Sequence, residues 1–290
     1  MICKFRNFLF LVIIGASCTA LVGEAAVDWQ LGTAIDIGQM PKDAVVSTSG
    51  DWIYVLTKAG DILVYSSDGQ LEDTIHFGEK ISFISPGPSD NQILVGSGKG
   101  QTVQMLSVEF IHEIDISGAP MLGSADAPVI IAVFSDYQCP YCARLMPVLD
   151  QVLEKYPEQV KIVYKQYPLK MHKSALFAAE AALVAYREGR FLELHDLLHD
   201  DYRNMTEESI LDKASSLGFD RETFKEKMTS PNIMMQIQKD MADGKKAGVS
   251  GIPSVFINGR RLKNRSLEGF RQMIDPEIEK LGGQPTTEEP

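Results

Sequence analysis

The chain has 290 residues, enough for one large domain or two ordinary ones. Apolar residues make up 44% of it, which excludes general disorder. A formal charge of −11, with acids and bases interleaved, leaves no basic footprint for nucleic acid and no polybasic membrane patch.

The N-terminus has the charged, apolar and small-residue order of a secretory leader. Lys4 and Arg6 precede the apolar run Phe8–Ala16, and small residues follow to Gly23, Ala25 and Ala26. The run is short for a membrane span, which needs about 20 residues. Gly15-Ala16-Ser17-Cys18 loosely resembles a lipobox, so anchoring through Cys18 is the minority alternative to a cleaved signal peptide over 1–26. Loss of 1–26 removes Lys4, Arg6 and Glu24, a net +1, and takes the charge from −11 to −12. It also removes Cys3 and Cys18, leaving Cys139 and Cys142. One close pair in a periplasmic or otherwise extracytoplasmic protein points to redox chemistry and not to a disulfide framework.

Residues 30–118 read as all-β. Runs such as Trp52–Leu56, Ile62–Tyr65, Ile93–Val95 and Val103–Leu106 are separated by turn signals at Ala59-Gly60-Asp61 and Asp68-Gly69. Ile35-Asp36-Ile37-Gly38 recurs as Ile75-His76-Phe77-Gly78 and, more loosely, as Ile114-Asp115-Ile116-Ser117. A period near 40 resembles two β-propeller blades. Two blades do not close a ring, so the repeats are expected to pack on the second domain or to form a homo-oligomer contact; a small β-sandwich is the plainer alternative.

From Gly123 the periodicity changes. Val129–Phe134 is a continuous apolar run, as in a strand buried on both faces. Pro140–Tyr156 has helical spacing, and Val160–Tyr164 is a second strand. A helical insertion is expected over 172–228, then a helix near 231–247. Ser254–Ile257 with Asn258-Gly259 reads as a strand and hairpin turn. A helix near 266–281 precedes a Gly, Pro and Glu-rich tail at 283–290, expected to be disordered. The order is β-α-β, helical insertion, β-β-α over 123–282.

Cys139-Pro140-Tyr141-Cys142 follows the buried strand and opens a helix, with Pro140 where a missing N–H costs nothing. Free N–H groups and the helix dipole stabilise an anion there, so Cys139 is assigned as nucleophile and Cys142, one turn on, as resolving thiol. The same spacing is half a zinc site. Zinc needs further ligands, no second Cys-x-x-Cys exists, and His195 and His199 read as helix-surface or core residues. No metal or other cofactor is expected. Gly248-Val249-Ser250-Gly251-Ile252-Pro253 ahead of a strand suits a cis proline. Asp136 is a candidate either for proton transfer to Cys142 or for capping a turn. Tyr137 and Tyr141 are expected to form an aromatic rim around Cys139.

Residues 123–281 resemble the DsbA-like thioredoxin-fold oxidoreductases. The resemblance rests on Ala127-Pro128-Val129, Phe134–Cys142, Tyr164–Leu169 with His172, Ala178–Ala182 and Gly248–Gly259. It implies a mixed α/β thioredoxin fold with an inserted helical domain and dithiol–disulfide exchange with exported protein thiols or disulfides. It also implies a membrane or soluble partner that resets the dithiol, and a Pro253 loop facing the cysteines with Ile252 touching the substrate backbone. Ile252 stands where this branch commonly has threonine, which leaves oxidase against isomerase character open. A chaperone-like adaptor with secondary redox activity, and a dedicated reductase for one partner such as a cytochrome-assembly protein, are the competing functions.

Overall fold

The computed structural model describes residues 34–77 and 81–282. The leader-like residues 1–26, Cys3, Cys18 and the tail 283–290 lie outside them. The chain divides into two compact units between Leu106 and Ser107.

The first unit is all-β. Strands β1 (Pro41–Val46), β2 (Trp52–Thr57), β3 (Asp61–Ser66) and β4 (Leu71–His76) form an antiparallel sheet in sequence order. Gly60 (φ +99°) and Gly69 (φ +86°) turn the chain between strands, in backbone that other residues adopt only with strain. Strands β5 (Phe83–Pro86), β6 (Gln92–Ser97) and β7 (Thr102–Ser107) make a second sheet in the order β5-β6-β7. The sequence repeat has a structural counterpart, because β2 and β6 start at 52 and 92. Asp43 accepts from the Ile84 amide (3.0 Å) and Asp90 from the Ser49 amide (2.7 Å), tying one sheet to the other.

The second unit begins at Ser107, so residues 107–118, assigned from sequence to the β region, belong to it. They contribute one isolated bridge, Ile111 to Arg260. The unit is built on a five-stranded sheet of β8 (Met121–Gly123), β9 (Val129–Ser135), β10 (Val160–Gln166), β11 (Ser254–Ile257) and β12 (Arg260–Arg261), in the order β12-β11-β9-β10-β8. β9 and β10 are parallel, and their crossover is helix α1 (Pro140–Lys155). Helices α2 (Ala175–Arg187), α3 (Phe191–Asp200), α4 (Glu207–Ser216) and α5 (Arg221–Met228) form the insertion. Then α6 (Pro231–Lys246) leads to the β11–β12 hairpin and α7 (Leu267–Lys280). The hairpin turn uses Asn258 (φ +44°) and Gly259 (φ +80°), the left-handed pair that suits strand twist.

Alternation along the strands sorts side chains into two layers. Val129, Ile131 and Val133 of β9, with Val160, Ile162 and Tyr164 of β10, pack with α1, α7 and the helical insertion. Ala132 and Phe134, with Phe256, Ala247 and Val249, fill the opposite face. That is why β9 reads as unbroken apolar sequence. Lys165 falls on the second face, opposite Phe134 in register, and is fully buried. Its Nζ meets Asp240 Oδ1 at 2.7 Å, Asp243 Oδ2 at 2.8 Å and the Asp115 carbonyl at 2.5 Å. Asp240 also accepts from the Gln166 amide (2.9 Å). Burial pushes the Asp240 carboxyl up, and Lys165 opposes the shift. Removing one partner of such a pair strands the other charge in a dry interior. Lys165→Ala is therefore expected to destabilise the second unit by about 3–5 kcal/mol, read as a lower urea midpoint of the near-ultraviolet circular dichroism transition. A midpoint within error of the parent would show that the carboxylates are relieved by water.

Candidate active site

Strand β9 ends at Ser135, and α1 begins at Pro140. The loop between them is closed by its own groups. The Asp136 carbonyl accepts from the Cys139 amide (3.1 Å), and Asp136 Oδ1 accepts from the Gln138 amide (2.8 Å). Asp136 Oδ2 accepts from the Leu169 amide and meets His172 Nδ1, each at 2.8 Å. Asp136 thus caps the turn and pins it to the 167–174 loop. His172, present in the sequence as a histidine beside the family-like stretch Tyr164–Leu169, is thereby placed at the site as the partner of Asp136.

Cys139 is the N-cap of α1 (φ −79°, ψ 119°), with Pro140 in the first turn. Both cysteines are buried free thiols. The Cys139 thiol is lowered from 9.0 to about 6. The largest cause is a hydrogen bond donated by the Cys142 thiol; burial opposes it, and the Cys142 and Tyr141 amides add to it. The Asp136 carboxylate works weakly against the thiolate. Cys142 moves the other way, held protonated first by burial and then by its hydrogen bond to Cys139. One proton and one negative charge are thus divided between the sulfurs, with the charge on Cys139.

Strand β11 brings Ser254 opposite Phe134, so Pro253 lies beside the end of β9 from which the cysteine loop departs. The Ile252–Pro253 bond is cis, and Arg265 Nη1 donates to the Pro253 carbonyl (2.5 Å). Ile252 is partly buried against the Phe134 and Phe256 layer.

The two tyrosines separate. Tyr141 is 63% exposed, with the Arg144 guanidinium 4.5 Å above its ring. Tyr137, by contrast, is 3% exposed and is not part of a rim. Its hydroxyl meets His195 Nδ1 at 3.0 Å, and its ring lies 4.7 Å from that of His199. Both histidines are buried core residues, held neutral by desolvation.

The family model described as Thioredoxin matches residues 116–276, more than half of the chain. The chain belongs to the thioredoxin family. The thioredoxin-family part is similar to BdbD from Bacillus subtilis, with a TM-score of 0.54 at 24% identity over 59% of this chain and 98% of that one; this likeness concerns the fold. A thioredoxin-like oxidoreductase from Silicibacter pomeroyi gives 0.50 at 27% identity over 57% of this chain and 93% of that one. Among curated proteins, the Na(+)/H(+) antiporter NhaA 3 of Salinispora tropica is 32% identical over 155 residues, 53% of this chain. The chain spans about a quarter of the length of the curated relatives it matches (24% of that antiporter). Among the described residues no helix is long and apolar enough to cross a membrane.

The divided pair has two measurable consequences. Thiolate absorbance of the dithiol protein is expected to titrate with a midpoint near pH 6, and Cys142→Ala, which deletes the main hydrogen-bond donor, to move that midpoint upward. An unchanged midpoint would assign the shift to the helix N-terminus alone. Because the folded Cys139 pKa lies below the unfolded value, this thiol contributes stability that is lost as pH falls through about 6, while the raised Cys142 takes stability away only above the unfolded thiol value. Denaturant midpoints of the dithiol protein should therefore rise with pH over that window, and those of the disulfide protein should not share this rise.

Proposed function

We propose that this chain is a thiol–disulfide oxidoreductase that exchanges disulfides with exported proteins through Cys139 and Cys142. The observation that carries the reading is the split pair: an N-cap thiol lowered to about 6 beside a buried partner that keeps its proton. The thioredoxin family match and the 27% identity to a thioredoxin-like oxidoreductase support it.

The exchange balances in two displacements. In the disulfide form, a substrate thiolate attacks Cys139 Sγ, the Cys139–Cys142 bond breaks, and Cys142 leaves with the electron pair and takes a proton. A second substrate thiolate then attacks the substrate sulfur of the mixed disulfide and expels the Cys139 thiolate. The substrate has lost two electrons, and the pair, now reduced, needs an oxidising partner to reset. Run backwards, the same steps reduce a substrate disulfide.

Direction follows from thiolate stability, because whatever stabilises the reduced pair makes its disulfide more oxidising. A nucleophile near pH 6 lies between thioredoxin at roughly 7 and DsbA at about 3.5. We read this chain as an oxidase or isomerase. The leader-like 1–26 supports action outside the cytoplasm, and the β unit serves as a partner-holding module: Val103 and Met105 of β7, at the edge of its sheet, are exposed. Asp136 acts in this reading by positioning the loop; proton transfer to Cys142 is the second role open to it.

Equilibration of the full chain with glutathione buffers tests the reading. The expected reduction potential lies between about −200 and −120 mV, and a value near −270 mV would make the chain a reductant. Cys139→Ser should abolish turnover of reduced and disulfide-bonded model proteins alike. Retained turnover would remove the dithiol from the mechanism.

A further inference from the structure

An open cleft of about 540 Å³ lies beside the cysteine loop, between the 171–174 and 202–206 segments. Gln138, the residue before Cys139, forms part of its wall. The floor is closed on itself. Gln138 Oε1 accepts from the Ser174 amide (2.6 Å), Gln138 Nε2 donates to the Met205 carbonyl (3.4 Å), and Ser174 Oγ donates to that carbonyl at 3.1 Å. The groups left for a ligand are those of the rim: Met171 (79% exposed), Lys173, Tyr202 and Arg203, with His172 already held by Asp136 through its Nδ1.

The charge of this rim is opposite to that of the protein. The chain carries 39 acidic against 28 basic residues, yet two cationic side chains, Lys173 and Arg203, and no carboxylate line the cleft. Of the carboxylates flanking the 202–206 segment, Asp201 pairs with Lys213 (2.6 Å) and Glu208 with Arg221 (2.5 Å), while Asp200 and Glu207 are exposed and do not line the cleft. Lys173 and Arg203 are exposed and have no ion-pair partner among the described residues, and Arg203 lies 5.2 Å over the Tyr202 ring. A concave site lined by one sign of charge concentrates the opposite charge next to it.

We propose that the cleft is a subsite for carboxylate side chains of polypeptide substrates, so that segments with Asp or Glu near a cysteine are presented to Cys139. The inference rests on the oxidoreductase reading and adds a substrate class to it. Lys173 and Arg203 take the carboxylates by charge-assisted hydrogen bonds. Met171 and the Tyr202 ring offer apolar surface to the rest of the segment. Because Gln138 adjoins both the cleft and the nucleophile, a residue held there has its neighbours within a few residues of the reacting sulfur.

The test is single-turnover exchange between the full-length dithiol protein and three peptide disulfides that differ only in the residues flanking cysteine: Glu, Gln or Lys. At low ionic strength the Glu peptide should react about tenfold faster than the Gln peptide, with the Lys peptide slowest. In about 1 M salt, where the Debye length is roughly 3 Å, the spread should collapse. In K173E/R203E the order should invert, and since rates are compared within each protein, the active fraction cancels. Equal Glu and Gln rates in the parent protein, or a preference that survives both salt and charge reversal, would overturn the subsite. Failure of all three peptides to react would instead overturn the oxidoreductase reading on which it stands.

Discussion

Much of the second unit is organised around the passage from a strand buried on both faces into a helix N-terminus. β9 has layers of side chains above and below it, so its backbone direction is fixed by packing, and α1 must start where the strand leaves the sheet. The 136–139 loop satisfies its own polar groups through Asp136, whose two carboxylate oxygens gather three partners. A buried carboxylate without them would be costly. With them it holds Cys139 at the N-cap, where free amides meet the sulfur. The chemistry follows from this placement, because a helix start and a neighbouring thiol proton both favour negative charge on Cys139.

The pair is therefore asymmetric by environment. Cys142 is deeper, cannot shed its proton cheaply, and lends that proton to Cys139 as a hydrogen bond. Asp136 pulls slightly against the thiolate, so its place in the site is explained by loop geometry more than by activation of the nucleophile. The cationic cleft beside Gln138 adds longer-range attraction for anions in an otherwise acidic protein.

What could be read from the sequence was local. The run Val129–Phe134, the Cys-Pro-Tyr-Cys placement, the Asn258-Gly259 turn and the β-α-β, insertion, β-β-α order all follow from periodicity and turn chemistry acting over a few residues. What escaped was set by contacts between distant segments. Strand β8 is three residues long and exists through its pairing with β10. Lys165 lies just past the apolar run Val160–Tyr164, and its aspartates arrive from α6, far along the chain. A place beside the motif suggests a rim position for Tyr137, which is buried instead. Its direction is decided by a pocket of aromatic and histidine rings on α3 and β10, and no spacing rule reports that. His172 lies in a loop without periodicity, and its bond to Asp136 emerges only once β10 is laid beside β9.

The central claim is that Cys139 is the sulfur through which substrate is held, with Cys142 releasing it. The most direct measurement is peptide mapping of the covalent adduct formed when the Cys142→Ala protein meets a disulfide-bonded protein substrate. The expected result is a stable mixed disulfide joining the substrate to Cys139. Absence of an adduct under conditions where the parent protein exchanges, or an adduct on any residue other than Cys139, would contradict it.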